Sequence, residues 1–202
     1  MATVSYSSRE IDCKLVYCGP GLSGKTTNVK FIHGQVPSCD RGKLISLATG
    51  NERTLFFDFL PVNSGVIHGF KVRLHLYSVP GQAMYSDSRR LILQGVDGIV
   101  FVADSQKARM EANVQSLRDL RENLRASNRR GVNLVLQCNK RDMHDIHPSE
   151  TIRETLGLSR TPCVDAVATD GTGVFETLRR ATGLVMRRLQ QQFDLALNEK
   201  RG

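Results

Sequence analysis

The stretch that most constrains this chain is GPGLSGKT, Gly19 to Thr26, which follows the apolar run CKLVYC and leads into a helical pattern. A G-x-x-x-x-G-K-[ST] loop between a strand and a helix surrounds phosphate with inward-pointing backbone N–H groups at the positive end of the helix. Gly19, Gly21, Leu22, Ser23, Gly24, Lys25, Thr26 and Thr27 are therefore the candidate phosphate-binding residues. Lys25 adds a charge for the β- and γ-phosphates, and the Thr26 hydroxyl can ligate Mg²⁺. The loop alone does not choose a base, because P-loop kinases and ATPases share it.

The rest of the chain supplies the sheet such a loop requires. Strand-like runs LFFDFLPV, FKVRLHLYSV, GIVFVAD, NLVLQCNK and CVDAVA recur with helical stretches between them. This alternation, after a P-loop motif, predicts an α/β fold of three layers with helices on both faces of the sheet. It has a mostly parallel sheet of about six strands and one antiparallel edge hairpin strand. GIVFVAD is apolar on both faces, as a central parallel strand must be. FKVRLHLYSV alternates, so one of its faces is less covered. VNSGVIHG has turn composition around Gly65, which predicts the hairpin. Helices are expected after Lys25, Gln82, Ser105, Pro148 and Thr172, with Pro148 at a first helical position and Gly157 as a stop.

With 202 residues, 40% apolar and 24% charged, the chain reads as one domain, residues 1–202, ending in a basic helix at about 174–200. No apolar run reaches the roughly 18 residues of a spanning helix. Neither terminus offers a lipid anchor, since Ala2 stands where myristoylation needs glycine and the end, NEKRG, has no cysteine. The five cysteines are odd in number and never form C-x-x-C. They read as reduced, small buried hydrophobes of a cytosolic protein rather than as metal ligands or disulfides. The net charge of +8 is concentrated in SLRDLRENLRASNRR and LRRATGLVMRRLQQ, whose leucine spacing turns the arginines outward. A solvated face is the plain reading and an acidic partner or anionic membrane the alternative, while no interleaved aromatics favour nucleic acid.

NKRD, Asn139 to Asp142, follows the apolar strand NLVLQC and selects the base. A carboxylate there accepts hydrogen bonds from guanine N1–H and the 2-amino group, and adenine has neither donor. At about 1.5–3 kcal/mol per charged hydrogen bond, losing both costs about 3–6 kcal/mol. Asn139, Lys140 and Asp142 join the binding set, and GTP or GDP is the nucleotide they fit.

With these residues on the page the chain resembles a Ras-like small GTPase over nearly its whole length, which implies the P-loop NTPase fold of small-GTPase type. In that family a loop after the last strand steadies the base. VAT, Val167 to Thr169, takes that place, and Ala168 is the contact carried over. The segments YSSREIDCK, GNERTLFFDFLP, VPGQ and VDGIVFVADSQ resemble the bacterial mutual gliding protein A (MglA) type, a cytosolic switch in cell polarity and motility.

The resemblance implies that the second strand slides in the triphosphate state and carries Arg53 and Thr54 into the site. Thr54 would ligate Mg²⁺ beside Thr26, Arg53 would act as an arginine finger in cis, and Gln82, with Gly81 before it, would position the attacking water. A side chain at Gly21 would crowd the γ-phosphate and Gln82. Each also has a plain structural reading: Arg53 as a solvated loop arginine, Thr54 as a strand-start hydroxyl, Gln82 as a polar residue at a helix entry. The implied partners are a dimeric roadblock-domain activator (MglB type) and polarity effectors, with recruitment to a cell pole through them.

Ser78 departs from the superfamily, in which an aspartate there holds Mg²⁺ through a water. A hydroxyl brings no charge, so slow unaided hydrolysis is expected, with Asp58 on the neighbouring strand as a possible compensating carboxylate. Two other readings stay open on sequence alone: a GTP-binding interaction module with negligible turnover, and a P-loop kinase.

Overall fold

The computed structural model describes residues 2–47, 57–79, 86–129 and 131–199. Its strands are β1 (Thr3–Ser5), β2 (Glu10–Cys18), β3 (Ile45–Leu47), β4 (Phe57–Ile67), β5 (Phe70–Ser78), β6 (Gly98–Asp104), β7 (Asn133–Asn139) and β8 (Cys163–Asp165). Its helices are α1 (Lys25–Gln35), α2 (Ser86–Leu93), α3 (Met110–Ala126), α4 (Ser149–Thr155) and α5 (Val174–Glu199). The sheet order is β3-β4-β5-β2-β6-β7-β8, with β1 added antiparallel to β2. Pairings from β5 through β8 are parallel, and those of β3, β4 and β5 are antiparallel. The α/β expectation holds. The eight strands exceed the expected six by β1 and β3, which at three residues each are too short to show a period.

All seven residues of β6 are buried, because β2 and β7 flank it and helices cover both faces. One apolar layer gathers Leu15, Val29, Ile32, Val100 and Val135 beneath Leu178, Val185 and Leu189 of α5. The other gathers Val16, Phe101 and Leu136 beneath Leu117 and Leu120 of α3 and Ile152 of α4. The outward arginines expected on α3 and α5 follow from these buried leucines. Among the described residues no helix is long and apolar enough to cross a membrane.

The hairpin is present, but its turn is not at Gly65. Ile67 pairs with Phe70, so the two-residue turn is His68-Gly69, with φ of 47° and 82°. Two successive positive φ values are what a tight hairpin of right-handed twist demands, and glycine at the second meets that cheaply. Gly65 instead follows a β-bulge: Asn63 pairs with Arg73 and Gly65 with Val72, leaving Ser64 as the extra residue. Composition locates flexible backbone, but it does not tell a turn from a bulge. Pro148 likewise sits one residue before the expected place, as the cap of α4 with ψ 145°. Gly157 does end that helix, at φ 62°, its N–H donating to the Glu154 carbonyl.

Candidate nucleotide site

The phosphate loop joins β2 to α1, and its backbone is left-handed at Gly24 (φ 100°) and at the exposed Leu22 (φ 66°). Lys25 opens the helix and is buried, its ammonium donating to the carbonyls of Gly19 (3.0 Å) and Pro20 (2.6 Å). The next two residues, Thr26 exposed and Thr27 half-buried, occupy the first turn of α1. Ser23 is fully buried, and its hydroxyl has no partner among the described residues. Glycine is required at two positions by space as well as by φ. A Cβ on Gly19 would lie 2.2 Å from the Val102 carbonyl oxygen, and one on Gly24 2.2 Å from Asn139 Nδ2.

That last approach shows how the base loop and the phosphate loop are joined. Asn139 ends β7 and is almost completely buried. Its Nδ2 donates to the Ser23 carbonyl at 2.7 Å, and its Oδ1 accepts the Ala168 N–H at 2.9 Å. One side chain therefore fixes three loops, and the Ala168 N–H is engaged with Asn139. Lys140 has φ 66°, and its ammonium pairs with the fully buried Asp104 carboxylate at 2.7 Å. Asp142 is exposed on the same loop.

Asp104 was not singled out in the sequence, although it anchors the site. It ends β6 beside Asn139 in the β6–β7 register. Its backbone N–H and carbonyl are both bonded by the Asn113 side chain, and its carboxylate accepts the Gln106 N–H. Arg109, 3.8 Å from the same carboxylate, donates to the Gly21 carbonyl at 2.7 Å. A second unforeseen network ties α1 to β7 and α5: Asn28 and Gln137 exchange two hydrogen bonds, and Gln137 also donates to Thr177. All three are fully buried, so each amide needs the others.

On the opposite side of the loop, Ser78 faces Asp58 directly across the β4–β5 ladder. The Ser78 hydroxyl donates to Asp58 Oδ2 and the Ser46 hydroxyl to Oδ1, both at 2.6 Å. Asp58 is 6% exposed, and among the described residues no cation pairs with it. A buried carboxylate with only neutral donors is costly unless it serves a positive charge. The Ser78 hydroxyl and the Asp58 carboxylate are hard oxygen donors of the kind that suits Mg²⁺. Arg53, Thr54, Gly81 and Gln82 lie outside the described residues. Phe59, of the apolar segment before it, is half-buried against Tyr77 and His75.

The sequence model of the ADP-ribosylation factor family (Arf) matches residues 54–184. The mutual gliding-motility protein MglA of Myxococcus xanthus (strain DK1622) is 52% identical over 193 residues, 95% of this chain and 99% of its own. The chain belongs to the Arf/Ras-like small GTPase family. This GTPase binds guanine nucleotide and hydrolyses GTP. The Arf match begins at Thr54, beyond the phosphate loop, so it rests on the sheet and the base-binding half. The similarity to MglA extends across the loop as well.

Proposed function

We propose that this GTPase is a single G domain acting as a switch in bacterial cell polarity or gliding-type motility, hydrolysing GTP slowly alone and faster with a roadblock-domain activator of the MglB type. It works in the cytoplasm and is recruited to a cell pole through partners. The gliding-motility name of its Myxococcus relative supports the process, and the resemblance supplies the activator, the effectors and the polar recruitment.

In this reading Gly19 to Thr27 hold the phosphates, Asn139, Lys140, Asp142 and Ala168 hold the base, and Thr26 and Thr54 ligate Mg²⁺. Bound Mg²⁺ neutralises charge on the β- and γ-phosphates. Gln82, after Gly81, positions the attacking water, and Arg53 stabilises charge developing on the phosphoryl group. The observation that carries the reading toward turnover, rather than storage of GTP, is the Asp58–Ser78 pair. It brings a buried carboxylate within one hydroxyl of the position where the superfamily keeps its aspartate.

The test is single-turnover phosphate release from protein loaded with GTP and Mg²⁺, alone and with a roadblock-domain dimer. Strong acceleration is expected, and Arg53→Ala should remove most of it while leaving GTP affinity within severalfold. Intact GTP under both conditions, with activator binding confirmed, would overturn the reading.

A further inference from the structure

Cys138 and Cys163 are 25 residues apart in the chain but lie on the neighbouring parallel strands β7 and β8, with Leu136 opposite Cys163 and Cys138 opposite Asp165. Paired residues of a sheet share a face, and so do residues two apart along one strand, so Cys138, Cys163 and Asp165 all project to one side. Their sulfur and carboxylate ligand atoms lie within 4.8 Å of one another. The two sulfurs are 3.6 Å apart. That separation is far from a disulfide bond of about 2.05 Å, and the two cysteines are offset along the strands rather than opposite. It is close to the edge of about 3.8 Å that Zn–S bonds of about 2.3 Å give two thiolates in a tetrahedron.

The surroundings suit a cation. The hydrogen bond shared with Cys163, and then burial, push the Cys138 thiol far up, while the same bond lowers Cys163. Two thiolates and a carboxylate carry three negative charges, one more than a divalent cation neutralises. Arg141, 3.6 Å from the second Asp165 oxygen, attends to the excess, while Arg153, near Cys163, is itself paired with Glu150. Ser149 at the start of α4 donates to the first Asp165 oxygen, beside the cysteines.

We propose that Cys138, Cys163 and Asp165 form a binding site for a thiophilic divalent cation of the zinc class, with water or the Ser149 hydroxyl in the fourth position. Two sulfurs and one oxygen select zinc over Mg²⁺. Binding releases the thiol protons to solvent, so affinity rises with pH. The site adjoins the base-binding loops. Cys138 precedes Asn139, its carbonyl accepts the Ala166 N–H, and Arg141 N–H donates to the Ala166 carbonyl. A cation clamping β7 to β8 here restrains Asn139 and Ala168, and so lengthens the residence of guanine nucleotide.

The test uses the full chain, tag-free, saturated with Mg–GDP, in a Cys39→Ser background because Cys39 is an exposed thiol. Titration with Co²⁺ should produce a thiolate-to-cobalt charge-transfer band and strong tetrahedral visible bands at one equivalent, bleached by one equivalent of Zn²⁺. Cys163→Ser and, separately, Asp165→Asn should each weaken binding at least about tenfold. Because Asp165→Asn leaves both thiols in place, it remains informative if a cysteine variant does not fold. Absence of the charge-transfer band in the parent protein, or equal affinity in both folded variants, would overturn the site.

Discussion

On the side of β6 to β8 the central strand is buried at every position, and its end is held by side chains that serve two or three partners each. On the side of β3 to β5 the outer strand alternates between buried and exposed residues, carries a bulge, and is held near the site by hydroxyls on one carboxylate. Both flank the same phosphate loop. On the first side, moving Asn139 would strip bonds from Ser23 and Ala168 together. The second is specified by one buried face and a register-dependent pair, Asp58 with Ser78. The proposed switch would use this asymmetry: the side built on Asn139 would stay constant while the side of β4 and β5 adopts another state.

The contrast can be broken most severely at Asn139. Asn139→Ala leaves the Ser23 carbonyl and the Ala168 N–H unpartnered in a buried place, at about 1–3 kcal/mol each. Guanine nucleotide affinity should fall at least about a hundredfold, read by displacement of a fluorescent GDP. Retained affinity would mean that the three loops are held independently.

Ser78→Asp tests the other side. It restores the superfamily residue but sets two carboxylates face to face in a buried site, where both cannot ionise. Melting temperature should drop by several degrees, and adding Asp58→Ser should recover it. A single variant as stable as the parent would contradict the pairing. Asp58→Asn, which keeps amide hydrogen bonding but removes the charge, should speed GDP release about tenfold in millimolar Mg²⁺. The same variant should match the parent when EDTA is present, so the difference isolates the cation. The smallest effect is expected at the bulge. Gly65→Ala meets open space but must adopt φ 127°, a cost of about 1 kcal/mol or slightly more. That should lower the melting temperature by about 2–4 °C without altering nucleotide affinity.

What could be read beforehand divides along physical lines. GPGLSGKT and NKRD could be picked out because each packs its proposed chemistry into a few consecutive residues, loop N–H groups in the first and a carboxylate in the second. Asp104 was not, because its role depends on β6 ending beside Asn139, a fact of register rather than of local composition. The Asn28–Gln137–Thr177 network joins three elements whose polar residues look solvent-facing when each is viewed alone. The cysteines show the same limit: their chain spacing argued against a shared site, whereas strand pairing sets two sulfurs in contact. The adjacency of Asp58 and Ser78 was legible because it needed only two neighbouring strands already predicted to form a hairpin.

The His68-Gly69 turn and the bulge at Ser64 together divide β4 into two ends of different character. A hairpin of conserved length can shift its pairing by two residues only by moving its turn along the sequence. Either shift would place Ile67 or Phe70 in a turn position that calls for positive φ, an unfavourable conformation for a β-branched or bulky side chain. The turn end is therefore fixed in phase, while Phe57 to Asn63 lie beyond an extra residue that can change its place in the ladder. In the proposed switch, a change of pairing among residues 57–63 would be taken up at this bulge and leave the His68-Gly69 turn in place.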